Sequence, residues 1–152
     1  MAIKTWIGTG TWATAGNWSP AGAPAAGDEV FFSSANNNPC TVAANTNALL
    51  SLNFQDYAGT VTINTNTVPI PSLNPFTLTV AGNVTLSTNS SFQIIPDANG
   101  LGTLVISANS VITSNGRTIG VILRFSTINT TIQLADAMIL TRGLTALGTP
   151  TG

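Results

Sequence analysis

The chain has 152 residues, enough for one well-buried core and too few for two independent globular domains. Charged side chains make up 6% of it and the mean hydropathy is +0.34, where an average soluble domain is roughly a quarter charged. Four basic residues against five acids leave a net charge of −1, so there is no cationic footprint for neutralising phosphates and no nucleic-acid partner is expected.

Residues 1–32 form a distinct opening module. The start, Met1 to Trp6, lacks the apolar stretch of about 7 to 15 residues that a secretion signal carries. All three tryptophans, Trp6, Trp12 and Trp18, fall in this module at even spacing. Residues 8–10 and 15–17 read as turns, and the Pro, Gly and Ala run over 19–27 reads as a loop leading to a short strand at 29–32. Asn36, Asn37, Asn38 and Pro39 then break the chain. Beyond Cys40, short runs of Val, Ile, Leu, Thr and Phe alternate with Asn, Gly and Ser turns, with no useful 3.6-residue pattern. Strands are expected at 41–44, 50–54, 60–64, 77–81, 84–87, 91–95, 102–107, 110–113, 120–126, 131–134 and 138–141. They make up a β-rich body over 33–142, followed by a C-terminal tail over 143–152 with few strand formers. Between Asp56 and Asp97 no residue is charged, but Asn, Thr and Pro interrupt the stretch. No apolar run approaches the roughly 20 residues of a spanning helix, so no membrane partner is expected. The lone Cys40 has no partner for an internal disulfide and reads as a small buried hydrophobe.

The corners recur loosely: Tyr57, Ala58, Gly59 before Thr60; Ala81, Gly82, Asn83 before Val84; Ser107, Ala108, Asn109 before Ser110; Thr127, Ile128, Asn129 before Thr130. Spacings of roughly 20 to 26 residues suit one repeat per turn of a solenoid. The expected fold class is therefore all-β, a β-solenoid or parallel β-helix-like body with a Trp-rich N-terminal cap; a β-sandwich or jelly roll is the alternative. Alternation would point Leu78, Val80, Val84 and Leu86 inward and Thr77, Thr79 and Thr85 outward. A solenoid end exposes apolar core and unpaired edges, which Trp6, Trp12 and Trp18 could cover. An aromatic sugar-binding platform is the functional rival for these rings. Asp28, at the mouth of a strand, reads as a turn-forming acceptor of backbone N–H groups.

Composition limits chemistry. With no His, Ser-His-Asp triads and imidazole ligands are excluded, and one Cys adds no zinc site. Asp28 and Glu29 are neighbours that a strand would aim at opposite faces, and Asp56, Asp97 and Asp136 are isolated. No Gly-rich phosphate loop with a Lys is present, and Lys4 lies outside any such context. No catalytic, cofactor-binding or metal-binding residue is expected, no cofactor, and no enzyme. The candidate residues are those of a cap or interface: Trp6, Trp12, Trp18, Asp28, Phe31, Phe32, Arg117, Arg124 and Arg142, the arginines for hydrogen bonds between subunits. So little surface charge suits a molecule whose flanks are covered by neighbours.

One stretch carries a resemblance. Trp6-Ile7-Gly8, Asn17-Trp18-Ser19 and Pro24-Ala25-Ala26-Gly27-Asp28-Glu29-Val30-Phe31-Phe32 resemble a Trp-rich opening found in β-helical bacterial surface proteins and bacteriophage virion structural proteins. The match covers about the first 32 residues closely and the body, as in Phe76 to Leu86, only in style. Autotransporter passengers with such repeats are longer and follow a signal peptide, so the resemblance favours a phage component made in the host cytoplasm. It implies a capsid decoration (cement), spike or tail protein on the outer surface of the virion. The implied partners are further copies, as a homotrimer, and a major capsid or other virion protein. A carbohydrate- or host-binding adhesin module is the alternative.

Overall fold

A computed structural model describes residues 1–66, 74–126 and 131–146, and they are nearly all β. The corner expected at 127–129 and most of the expected tail, 147–152, lie outside the described residues. In chain order the strands are β1 (Ile3–Trp6), β2 (Gly10–Thr11), β3 (Trp18–Ser19), β4 (Glu29–Phe31), β5 (Cys40–Val42), β6 (Ser51–Asn53) and β7 (Thr60–Ile63). Then follow β8 (Thr65–Asn66), β9 (Asn74–Pro75), β10 (Thr77–Val80), β11 (Val84–Thr85), β12 (Gln93–Pro96) and β13 (Thr103–Ile106). The last are β14 (Ser110–Thr113), β15 (Thr118–Ile119), β16 (Ile122–Phe125), β17 (Ile132–Leu134), β18 (Ile139–Leu140) and β19 (Leu144–Ala146).

They assemble into one seven-stranded, one six-stranded and one four-stranded sheet, with β8 and β9 pairing apart. Sheet 1 runs β17-β14-β11-β6-β4-β1-β3, sheet 2 β18-β15-β12-β7-β5-β2, and sheet 3 β10-β13-β16-β19. From β10 onward the chain visits sheets 3, 1 and 2 in unbroken rotation. Pairing in these sheets is parallel, except that β3 lies antiparallel to β1. Parallel strands need a connection that crosses over, and here the crossover is the visit to the other two sheets. In sheet 1, Val30 lies beside Leu52, Leu52 beside Val84, Val84 beside Ile112 and Ile112 beside Leu134, steps of 22, 32, 28 and 22 residues. The step of 32 is the one that contains β8 and β9, which is why the recurrence in the sequence is loose.

Alternation does the rest. Leu78, Val80, Val84 and Leu86 are buried and Thr77, Thr79 and Thr85 are half-buried, as the period of 2 requires. Neighbouring strands repeat that choice in register, Leu78 beside Leu104 and Leu104 beside Leu123. The buried apolar inward residues of all three large sheets belong to one core cluster. At roughly 25 cal/mol for each Å² of apolar area removed from water, this continuous core is the main stabilising term. Glycine serves the tightest corner: a Cβ on Gly82 would collide with the carbonyl oxygen of Leu50 in the preceding round, and next to it Ala81 N–H donates to Leu49 O at 2.7 Å.

Each strand expected in the body overlaps an observed one, and the differences lie at the ends and corners. The opening module holds β1, β2 and β3 as well as the expected strand at 29–32. Gly10, expected in a turn, opens β2 beside Cys40, and residues 15–17 make a 3-10 turn. The tail, expected to hold little strand, starts with β19 paired to β16; Leu144 takes a strand because Leu123 offers it an edge. The corner at 57–59 leads into sheet 2, whereas those at 81–83 and 107–109 lead into sheet 1, so the recurrence mixes two kinds of corner.

Candidate functional site

The first end of the molecule is built from the alternation of β1, which turns Lys4 and Trp6 to the same side. Trp6 and Trp18 meet edge to face with ring centroids 5.0 Å apart, and Trp12 meets Trp18 at 4.8 Å. Phe32 lies 5.7 Å from Trp6 and 5.8 Å from Trp18, and passes the contact to Phe54 at 5.0 Å, which passes it to Phe92 at 4.7 Å. An aromatic column thus joins the opening module to the body. Edge-to-face and tilted pairs at these separations each add about 0.5–1.5 kcal/mol to the burial. Three of the polar tips find acceptors: Trp6 Nε1 donates to Asn38 O at 3.0 Å, Trp18 Nε1 to Trp12 O at 2.7 Å, and Tyr57 Oη to Asn38 O at 2.6 Å. Burial pushes the Tyr57 hydroxyl and the Cys40 thiol well above their usual ranges.

The rings are 1%, 5% and 1% exposed for Trp6, Trp12 and Trp18. A sugar platform needs exposed ring faces, and these three do not supply them, because they face each other and Phe32. Lys4, which sequence reasoning set aside, takes the inward position beside Val30. Its Nζ donates to Pro20 O at 3.1 Å and Ala21 O at 3.2 Å, and so ties the 19–22 loop over the end. The signal was available: in Ile3-Lys4-Thr5-Trp6, period 2 places Lys4 with Trp6.

The aspartates share one job. Asp28 accepts from Ala2 N–H at 2.7 Å and Ala25 N–H at 3.0 Å; Asp56 accepts from Ser34 N–H at 2.9 Å. Asp97 accepts from Thr65 N–H at 2.8 Å, and Asp136 from Ser114 N–H at 2.7 Å and Asn115 N–H at 2.6 Å. Each therefore reaches back one round of the chain and holds its backbone. Asparagines do the same forward: Asn45 Oδ1 accepts from Thr77 N–H at 3.0 Å, Asn83 Oδ1 from Val111 N–H at 2.9 Å, Asn109 Oδ1 from Thr131 N–H at 2.8 Å. Hydrogen bonds to the ionised form lower a carboxyl's pKa. The Ala25 N–H draws Asp28 below the usual carboxylate range, the Ser34 hydroxyl does so for Asp56, and the Ser114 N–H for Asp136. For Asp97 burial pushes upward, and the bonds from Thr65 and Asn99 outweigh it.

The remaining candidates are dispersed. Phe31 lies half-buried on the outer face of sheet 1 between Thr5 and Asn53. Arg117 precedes β15, and its Nε donates to Asn115 O at 3.3 Å. Arg124 points outward from β16, its Nε buried and without a partner among the described residues. Arg142 follows β18, its guanidinium lying over Gly100. The structure does not bring the three arginines together into one site. Glu29, half-exposed on β4, is the acid that takes no part in the clamps. Hollows of about 150 Å³ beside Trp12 and Asn45, and about 320 Å³ beside Phe92 and Arg117, have no carboxylate in their linings. No family model, curated protein or solved structure matches the chain.

Proposed function

We propose that the chain is a structural, non-catalytic component of a bacteriophage virion, a capsid decoration or spike protein whose body is a β-solenoid closed at one end. Parallel strands taken in rotation through three sheets support the solenoid, since a sandwich pairs its strands antiparallel. One observation carries the functional reading: four of the five acids are spent holding one round of backbone to the next. A polysaccharide-cleaving site needs carboxylates turned toward a groove; here they stiffen the scaffold instead. The outer faces offer Thr, Asn, Ser and Val to neighbours at little desolvation cost. Many copies, joined side by side in threes and seated on a shell, would convert weak contacts into large total stabilisation.

The reading is tested on purified particles of the phage that encodes the chain. Quantitative mass spectrometry should find it at many copies per virion, and particles made without it should release their genome at a lower temperature. Its absence from purified virions would remove the proposal.

A further inference from the structure

Asparagine followed by glycine is among the least durable steps of a chain in water, because glycine has no side chain to shield its amide nitrogen from the neighbouring carboxamide. The sequence holds two such steps, Asn99-Gly100 between β12 and β13 and Asn115-Gly116 between β14 and β15. The structure secures them differently. Asn115 is half-buried and tied to the rounds on either side. Its Nδ2 donates to Leu86 O of the preceding round at 2.6 Å, and its N–H to Asp136 of the following round at 2.6 Å. Asn99 is exposed, and its hydrogen bonds stay inside its own turn. Its N–H donates to Asp97 Oδ1 at 3.0 Å, its Nδ2 to Asp97 Oδ2 at 3.2 Å, and Gly100 N–H to Asp97 O at 3.0 Å. Arg142 lies over Gly100, and being exposed it can swing aside. The turn at Asn99 therefore opens without breaking a hydrogen bond to another round, and the turn at Asn115 does not.

We propose that Asn99 is a site of spontaneous covalent modification, converting to a carboxylate while Asn115 persists. In the opened turn the Gly100 nitrogen attacks Asn99 Cγ. The new N–Cγ bond forms as the Cγ–Nδ2 bond breaks, and Nδ2 leaves as ammonia with the proton given up by the Gly100 amide. Water then opens the five-membered imide at either carbonyl, leaving aspartate or its β-linked isomer at position 99. The product changes the clamp beside it. Where Nδ2 stood 3.2 Å from Asp97 Oδ2 as a donor, a carboxylate now stands. Two carboxylates at such a distance resist joint ionisation, and the hold of Asp97 on Thr65 N–H in the preceding round weakens. A scaffold fastened by aspartates thus carries, at one fastening, a slow chemical release.

The test uses the full chain. Folded and urea-unfolded samples are held side by side in mildly alkaline buffer, and peptide mass spectrometry follows the amide-to-acid conversion at each site. Unfolded, the two sites should convert at similar rates, since glycine follows both. Folded, position 99 should convert about tenfold faster than position 115, the effect of two further hydrogen bonds that must break at Asn115. Asn99→Asp, made directly, should lower the urea midpoint at neutral pH, and the native chain should drift toward that midpoint as it ages. Asn99→Gln, whose longer side chain closes its ring far more slowly, should show no such drift. Equal rates at the two sites in the folded chain, or faster conversion at position 115, would overturn the proposal. So would an Asn99 that stays intact for as long as the unfolded chain takes to convert. An Asn99→Asp midpoint equal to the native one would overturn the weakened clamp. The inference concerns the chain alone and stands apart from the virion reading, which none of these outcomes touches.

Discussion

A carboxylate that accepts backbone N–H bonds from an adjacent round stabilises the fold only while it is ionised. Asp28, Asp56, Asp97 and Asp136 all have lowered pKa values in the folded chain, so the unfolded chain binds their protons more readily. Their contribution is fully present above the unfolded value of about 3.9 and is lost as pH falls through the lower folded values. Urea midpoints measured from pH 7 down to pH 2 should hold level to about pH 5 and then drop steeply. Asp97→Asn leaves one acceptor oxygen for the Thr65 and Asn99 donors. It should cost about 1 kcal/mol at pH 7 and flatten the acid limb of the same curve. A midpoint that rose on acidification would contradict the clamp role.

At the scale of elements, the aromatic column and the tight corners set which substitutions hurt. Trp18 touches Trp6, Trp12 and Phe32, so Trp18→Ala opens a cavity at the junction of module and body. A loss of about 3–5 kcal/mol in a denaturant melt is expected. Gly82→Ala adds a methyl where the Leu50 carbonyl oxygen already stands, and the corner must shift to admit it. About 1–3 kcal/mol should be lost. Gly116→Ala makes a useful contrast, because nothing lies within 4 Å of that position and only its φ of +70° opposes the change. A smaller loss is expected there, and equal losses at both sites would show that crowding does not govern the corner.

Across the whole molecule, each round of strands rests on its neighbours, so stability should pass from one round to the next. The round with a neighbour on one side alone, β17 to β19, should exchange its amide hydrogens fastest, and β6, β11 and β12 slowest. Uniform protection across the rounds would contradict the gradient.

The all-β class and the body strands were legible in the amino-acid order, because side-chain alternation in Thr77-Leu78-Thr79-Val80 is a local property that any strand must obey. The reading of Asp28 as a backbone acceptor was local too, since its Ala25 donor lies three residues away. Pairing partners were not. That Asp136 binds Ser114, or that Leu144 extends an edge begun by Leu78, depends on rounds of unequal length, and insertions such as β8 and β9 alter the count without altering the corner. Lys4 under its loop emerged from assembly for the same reason. A side chain's period is written in its neighbours, whereas its contacts depend on which distant residues the rotation through three sheets brings 4.8 Å or so above and below it.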